Sequence, residues 1–151
     1  MAALNLSLWE AKMYTLKTES HFDSAHFLKG YDGKCSNIHG HRWIVEIEVY
    51  SECLEENGCL RGMIVDFAKL KEDLKKITGE LDHSFIIERG SLKEKTMEAL
   101  FDENFRIIQL DFRPTAENFA KYFYDSMNML GYRVKKATVY ETPKNCAVFE
   151  Q

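Results

Sequence analysis

Apolar and polar residues alternate with a period of two along three stretches of the chain, and this pattern is typical of half-buried strands. The stretches are residues 14–28, 39–52 and 132–141. A turn signal at 55–58 follows the second stretch, and the short segment 63–65 then predicts a return strand that closes a hairpin. The pattern therefore predicts four strands, with a further extended piece at 105–110.

A second pattern, with apolar residues three and four positions apart, predicts three helices. Asp66 is the expected N-cap of the first helix, which ends at Gly79. Ser91, with a glutamate three residues later, forms a capping-box pattern for a second helix that extends to about residue 104. Thr115 is the expected cap of the third and clearest helix, which stops at Gly131.

The order of these elements is strand, hairpin, three helices and strand. It predicts an α+β domain in which helices pack on one face of a four-stranded antiparallel sheet. The chain has 151 residues, 45% of them apolar, which suits one ordinary domain with its own core. We therefore expect a single domain over residues 1–151.

The charge of the chain disfavours several partners. Its net charge is −4 and it has no basic run, so we expect neither nucleic acid nor a membrane surface as a partner. No stretch approaches the ~18 apolar residues of a membrane span, and the first dozen residues lack the pattern of a signal peptide. We expect a cytoplasmic protein whose four cysteines, which form no CxxC pair, stay reduced.

The segment Cys35-Ser36-Asn37-Ile38-His39-Gly40-His41 carries the clearest chemical signal. Residues i and i+2 of a strand face the same side, so His39 and His41 can bind one cation together. A working zinc site usually has three protein ligands and an open fourth position, and His26 is the best candidate for the third. Two alternatives stay open: His26 as a satisfied core histidine, and the pair as edge-strand residues hydrogen-bonded to water.

Six segments resemble, in order, the motifs of the 6-pyruvoyltetrahydropterin synthase family. They are FDSAH at 22–26, the cysteine and HGH of 35–41, VDF at 65–67, LDH at 81–83, PTAEN at 114–118 and ETP at 141–143. The resemblance covers about residues 14–149. The short gap between the cysteine and HGH, and the ETPKN ending, are more similar to the bacterial 6-carboxytetrahydropterin synthases of queuosine synthesis than to the animal enzymes.

The resemblance implies Zn²⁺ held by His26, His39 and His41, with 7,8-dihydroneopterin triphosphate as substrate. The carboxy branch forms 6-carboxy-5,6,7,8-tetrahydropterin, acetaldehyde and triphosphate. Zinc suits such a reaction because it is a Lewis acid without redox chemistry of its own. The alternatives are a pyruvoyl-forming or folate-pathway enzyme on the same scaffold, and a non-catalytic metal- or pterin-binding module.

Two further groups are assigned to proton transfer. Cys35 is the expected base, because a nearby dication favours the thiolate; its alternative is a small buried hydrophobic residue. The resemblance makes Asp82 and His83 a proton relay, and their alternative is a solvent-facing turn. Residues 81–87 lack the asparagine of the family pattern LDHxxLN, and 88–113 is longer than in compact members. Both departures concern local loop geometry.

Four residues are expected to contact the substrate. Glu141 is assigned to the pterin, because a carboxylate accepts two parallel hydrogen bonds from the ring edge, and family members also give it a place in the relay. Thr115 and Glu117 are expected near the ring, although capping explains Thr115 equally well. Lys34 is the first cation to test for the triphosphate.

The family's fold is the tunnelling fold, in which sheets of several subunits join edge to edge. Open sheet edges in this chain would permit such pairing. The resemblance therefore implies a homo-oligomer, a trimer or a hexamer of two stacked trimers, with Glu141 reaching the metal site of a neighbouring subunit.

Overall fold

Nine helices and strands make up the part of the chain that the structure, a computed structural model, describes, which is residues 12–151. They are β1 (Tyr14–His26), β2 (His39–Ser51), α1 (Phe67–Leu81), β3 (Ser84–Glu88), α2 (Glu94–Asp102), β4 (Ile107–Leu110), α3 (Ala116–Met129), β5 (Val134–Thr142) and β6 (Asn145–Glu150). The segment expected to lack a signal peptide, residues 1–11, lies outside this part. No helix within it is long and apolar enough to cross a membrane.

The strands form one six-stranded sheet in the order β4-β3-β1-β2-β5-β6. The β1–β2, β2–β5 and β5–β6 pairs are antiparallel, whereas β3 pairs in parallel with both β1 and β4. The predicted α+β class is confirmed, and the predicted count of four antiparallel strands is wrong. Helices α1 and α3 pack on the sheet, while α2 buries none of its residues.

The first hairpin of the sheet is β1–β2 itself, joined by the loop 27–38. The predicted return strand at 63–65 is wrong, because this segment lies in a loop. Glu55 and Met63 close that loop instead, through a backbone hydrogen bond of 2.9 Å from the Glu55 N–H to the Met63 carbonyl.

Two of the three predicted helix caps are confirmed. The Asp66 carboxylate accepts from the Ala68 N–H at 2.7 Å, and the Thr115 hydroxyl accepts from the Asn118 N–H. Helix α1 continues two residues beyond Gly79, to Leu81. The capping box at Ser91 is wrong: α2 begins after Lys93, and the Ser91 hydroxyl is buried without a hydrogen-bond partner.

The core lies between the sheet and helices α1 and α3, on what we call the helix-covered face. Register pairs Phe22 with Trp43, and their stacked rings are completely buried. Phe119 of α3 contacts both rings edge-on. Because side chains alternate along a strand, the next residues on this face are His26, His39 and His41. The apolar core thus ends at a cluster of histidines.

Candidate metal centre and active site

Three histidines and one glutamate converge at the end of the helix-covered face. His26 is the last residue of β1 and pairs in register with His39, the first residue of β2, while His41 lies opposite Ser24. Glu141 comes from β5, on the other side of β2. One ligand atom from each of the four residues lies within 4.8 Å of all the others. Strand alternation and register alone therefore bring these groups together.

Backbone carbonyls fix the orientation of two of the rings. His26 Nδ1 donates to the Pro114 carbonyl, and His39 Nδ1 donates to the Asn37 carbonyl, each at 2.7 Å. With Nδ1 protonated in each neutral ring, Nε2 carries a lone pair. The two Nε2 atoms face each other at 3.1 Å. Two lone pairs at that distance repel, so the arrangement requires a proton or a metal cation between them.

A proton is the less favourable of the two at neutral pH. The pKa of His26 is lowered from 6.5 to about 4, mainly by burial. The hydrogen bond to Pro114 acts in the opposite direction, and the neighbouring His39 and His41 lower the pKa further. Burial also lowers the pKa of His41, although Glu141 opposes that shift. The rings of His26 and His41 are therefore neutral at pH 7, which is the state that binds metal ions.

The donor set fits a zinc ion. Catalytic zinc sites use three histidines or a mixture of histidine and carboxylate at ~2.0–2.1 Å, which places tetrahedral ligand atoms roughly 3.3 Å apart. Here the separations are 3.1 Å between His26 and His39, and 3.6 Å from Glu141 Oε1 to Nε2 of both His26 and His41. His41 Nε2 is buried and has no hydrogen-bond partner. A bound cation would satisfy that atom.

A cavity of about 380 Å³ lies beside the metal cluster and shares Glu141 with it. It brings together four of the predicted site residues, Cys35, Thr115, Glu117 and Glu141. Cys35 lies in a short 3₁₀ turn, where its carbonyl accepts from the Leu28 N–H at 2.8 Å. Its side chain is half-buried, and it stands outside the group of four converging ligands. Lys34 is exposed and does not line the cavity.

The cavity also contains residues that sequence reasoning missed. Arg113 and Cys146 both line it. Arg113 immediately precedes the PTAEN segment, so its position next to a recognised motif was the available signal. The Pro114 carbonyl that orients His26 had no signal in the sequence, because a backbone acceptor contributed by a distant loop depends on the tertiary fold alone.

Asp82 and His83 lie elsewhere. His83 Nδ1 is 2.7 Å from Asp82 Oδ2, and Asp82 Oδ1 accepts from the Asp23 N–H at 2.8 Å. The Asp23 amide is the first cause of the lowered pKa of Asp82, and the hydrogen bond with His83 lowers it further. The His83 side chain is 79% exposed, and its pocket shares only His41 with the metal cluster. It is lined by Asp23 and Ala25, which face away from the helices.

The predicted relay is therefore a hydrogen-bonded pair, but neither of its residues is among the four converging ligands of its own chain. The opposite holds for Glu141. Its expected placement in the site of a neighbouring subunit is wrong, because its carboxylate lies beside the histidines of its own chain.

Comparisons with known proteins identify the family of the chain. The family model described as 6-pyruvoyl tetrahydropterin synthase matches residues 15–151. The 6-carboxy-5,6,7,8-tetrahydropterin synthase of Haemophilus influenzae is 30% identical over 142 residues, which are 92% of this chain and 100% of that protein. The protein of the same name from Aquifex aeolicus is 33% identical over 128 residues, covering 78% of this chain and 76% of that protein.

Solved structures share the fold. An uncharacterized protein from Wolinella succinogenes has a TM-score of 0.77 at 22% identity, covering 93% of this chain and 99% of that one. The 6-pyruvoyltetrahydropterin synthase of Plasmodium vivax has a TM-score of 0.68 at 20% identity, covering 93% and 98%. Together with the match over residues 15–151, these likenesses confirm the resemblance seen in the sequence: the chain belongs to the 6-pyruvoyl tetrahydropterin synthase family.

Proposed function

We propose that the protein is a zinc-dependent 6-carboxytetrahydropterin synthase. It would convert 7,8-dihydroneopterin triphosphate to 6-carboxy-5,6,7,8-tetrahydropterin, acetaldehyde and triphosphate, in the cytoplasm and as part of queuosine synthesis. The observation that carries the proposal is the convergence of His26, His39 and His41 beside a cavity that contains a cysteine and two carboxylates. The names of the relatives from Haemophilus influenzae and Aquifex aeolicus support the carboxy product.

In this proposal His26, His39 and His41 hold Zn²⁺, which when bound supplies a Lewis acid for the oxygens of the substrate side chain. The hydrogen bonds from Nδ1 of His26 and His39 to backbone carbonyls keep both Nε2 atoms aimed at one point. Glu141 lies at the boundary between the cluster and the cavity. Its carboxylate would orient the ring of the substrate towards the histidines.

Cys35 and the carboxylates have separate tasks. Cys35 would remove a proton from the substrate side chain, because it lines the same cavity as Glu141. Glu117 and Glu141 would accept hydrogen bonds from the amino and ring N–H groups of the pterin. Thr115, the N-cap of α3, lines the same cavity. This division keeps the reacting side chain near Cys35 and the ring near the carboxylates.

The relay of Asp82 and His83 would act on the site of a neighbouring copy of the chain. Within one chain Asp82 and His83 lie outside the group of four converging ligands, and the His83 side chain is mostly exposed. Strands β4 and β6 are the edges of the sheet, so backbone groups are available for pairing with other copies. We therefore propose a homo-oligomer, a trimer or a hexamer, in which each site combines Cys35 of one chain with His83 of another.

The experiment that tests this function is an incubation of the purified, zinc-loaded protein with 7,8-dihydroneopterin triphosphate. Mass spectrometry of the products should identify 6-carboxytetrahydropterin and acetaldehyde. A pyruvoyl product would shift the proposal to the alternative enzyme on the same scaffold. No turnover by the zinc-loaded protein would contradict the enzymatic proposal and favour a binding module.

A further inference from the structure

Arg113 is a cation without an acidic partner, and it lines the candidate substrate cavity. Arg42, Arg89 and Arg133 each form an ion pair with a carboxylate, whereas no carboxylate within residues 12–151 lies at ion-pairing distance from Arg113. The position of its guanidinium group is fixed on one side only. Nη2 donates to the Lys29 carbonyl at 2.8 Å, and this bond ties the group to the loop that carries Cys35.

Within residues 12–151, the Arg113 guanidinium makes no hydrogen bond other than the one to Lys29. Its Nε is buried and has no hydrogen-bond acceptor. A guanidinium has five N–H donors and no acceptor, and it stays charged at any physiological pH. A buried donor without a partner costs free energy, so a group of this kind in a cavity wall indicates an anionic ligand.

The cavity wall around Arg113 favours an anion as well. Thr115 caps α3, and the amides of Ala116 and Glu117 in its first turn have no intrahelical acceptor. The positive end of the helix dipole therefore adds to the charge of the guanidinium. Glu117 and Glu141 have the opposite preference: they accept hydrogen bonds and suit the N–H edge of a pterin ring. One part of the cavity, Arg113 with the start of α3, therefore suits an anion. The other part, the two carboxylates, suits N–H donors.

We infer that Arg113 binds the phosphate chain of the substrate and so selects phosphorylated pterins over their dephosphorylated forms. The inference rests on the proposed function and adds a specificity-determining residue to it. A phosphate accepts two parallel hydrogen bonds from the two arms of a guanidinium group. A neutral carbonyl or amide of the ligand is a weaker acceptor for these donors. Lys34, which does not line the cavity, is then not required for this contact.

The test compares two ligands that differ only in the triphosphate. The affinities of neopterin and neopterin triphosphate for the zinc-loaded protein are measured by calorimetry, with the natural protein and with Arg113→Gln. Loss of a charge-assisted, bidentate contact should lower the affinity for neopterin triphosphate by about tenfold to a hundredfold. Neopterin itself should change by less than about twofold, because its ring contacts remain. Inorganic triphosphate is the third probe. Arg113→Gln should weaken its binding as it weakens that of neopterin triphosphate.

Arg89→Gln is the matched control. Arg89 is exposed, pairs with Asp111 and lies outside the cavity, so its loss should change none of the three affinities. Equal weakening of neopterin and neopterin triphosphate by Arg113→Gln would overturn the inference in favour of a contact with the ring. No weakening of either ligand would overturn it in favour of a purely structural residue.

Arg113→Lys covers the case in which the glutamine variant does not fold, since Arg113 also donates to Lys29. Lysine keeps the charge without the fork, so it should weaken neopterin triphosphate by an intermediate factor and increase the salt dependence of binding. An affinity for neopterin triphosphate equal to that of the natural protein, at all salt concentrations, would contradict the inference. Because binding is measured without turnover, a failure of the proposed reaction does not affect this test.

Discussion

The two histidine-containing groups of this protein, the metal cluster and the pair of Asp82 with His83, differ in almost every physical property. The cluster is enclosed by the sheet, α3 and the Pro114 segment, and backbone carbonyls fix two of its rings. His83 stands at a positive φ of 51° after the end of α1, and 79% of its side chain is exposed. Within a single chain, the four ligand atoms of the cluster converge, whereas neither Asp82 nor His83 is among them.

This contrast separates two ways of using imidazole. Burial keeps His26 unprotonated and ready for a cation, which is a binding function. The carboxylate of Asp82 instead lies 2.7 Å from Nδ1 of an exposed His83 and orients that ring, as a proton-transfer group requires. In the proposed function, metal binding is therefore assigned to one chain, whereas proton transfer is assigned to the proposed oligomer.

The largest expected effect comes from removing one histidine of each group. His39→Ala should abolish both stoichiometric zinc and turnover, because only two imidazoles would remain. His83→Ala should retain zinc and lower kcat by about 10²–10⁴-fold, the range for loss of an acid or base. Elemental analysis and steady-state kinetics measure the two effects. His21→Ala is the control, since His21 is exposed and faces away from the cluster.

Equal zinc loss in His39→Ala and His83→Ala would erase the contrast between the two groups. So would a His83→Ala variant with normal kcat.

Mixed oligomers sharpen the comparison further. Cys35→Ala and His83→Ala should each be nearly inactive, but co-expression should create sites with an intact Cys35 from one chain and an intact His83 from the next. Random assembly should recover about a quarter of the natural activity, because one in four chain pairings is fully intact. Recovery no greater than the average of the two parents would show that each chain uses its own His83.

A smaller effect concerns the stability of the metal-free protein below pH 6.5. The pKa of His26 is about 4 in the fold against 6.5 when unperturbed, so the unfolded chain binds its proton first as the pH falls. The free energy of unfolding should therefore be unaffected by His26 above pH 6.5. It should then decrease by roughly 2–3 kcal/mol as the pH approaches 4.

Urea unfolding at several pH values measures this loss. In His26→Asn, the free energy of unfolding should decrease less between pH 6.5 and 4.5 than in the natural protein. Titration of carboxylates contributes equally to the variant and to the natural protein. Parallel pH profiles would contradict the assignment of His26 as a buried neutral ring.

The smallest expected effect comes from Arg42, which pairs with Asp23 on the side of the sheet that faces His83. Both side chains are substantially exposed, and exposed ion pairs contribute little to stability. Arg42→Gln should therefore leave the midpoint of urea unfolding nearly unchanged and the zinc content unaltered. A loss of zinc in this variant would mean that the two faces of the sheet are coupled.

The metal cluster could be predicted from the sequence because it depends on strand alternation. His39 and His41 share a face through local geometry alone, and the register of one hairpin brings in His26. The family motifs assigned Glu141 to the pterin and did not place it beside the histidines of its own chain. The relay residues were also found, but their position relative to the cluster was not, since it depends on how β3 docks against β1.

The missed elements lack a local period. Strand β3, Ser84–Glu88, is short, and three of its five residues are buried, so it does not alternate; parallel strands covered on both sides are typically of this kind. Strand β6 follows Pro143. That proline predicted the end of the last strand, whereas it lies in a turn that leads into one more strand. The unpaired Arg113 shows a third limit, because absence of a partner is visible only in three dimensions.

The most direct test of the account is cobalt substitution of the metal-free protein, followed by visible spectroscopy. The account predicts binding of a single Co²⁺ per chain, with the intense absorption of a four- or five-coordinate ion, and a spectral change when neopterin is added because an open position faces the cavity. A weak spectrum typical of six-coordinate cobalt, or a spectrum that saturating neopterin leaves unchanged, would contradict it.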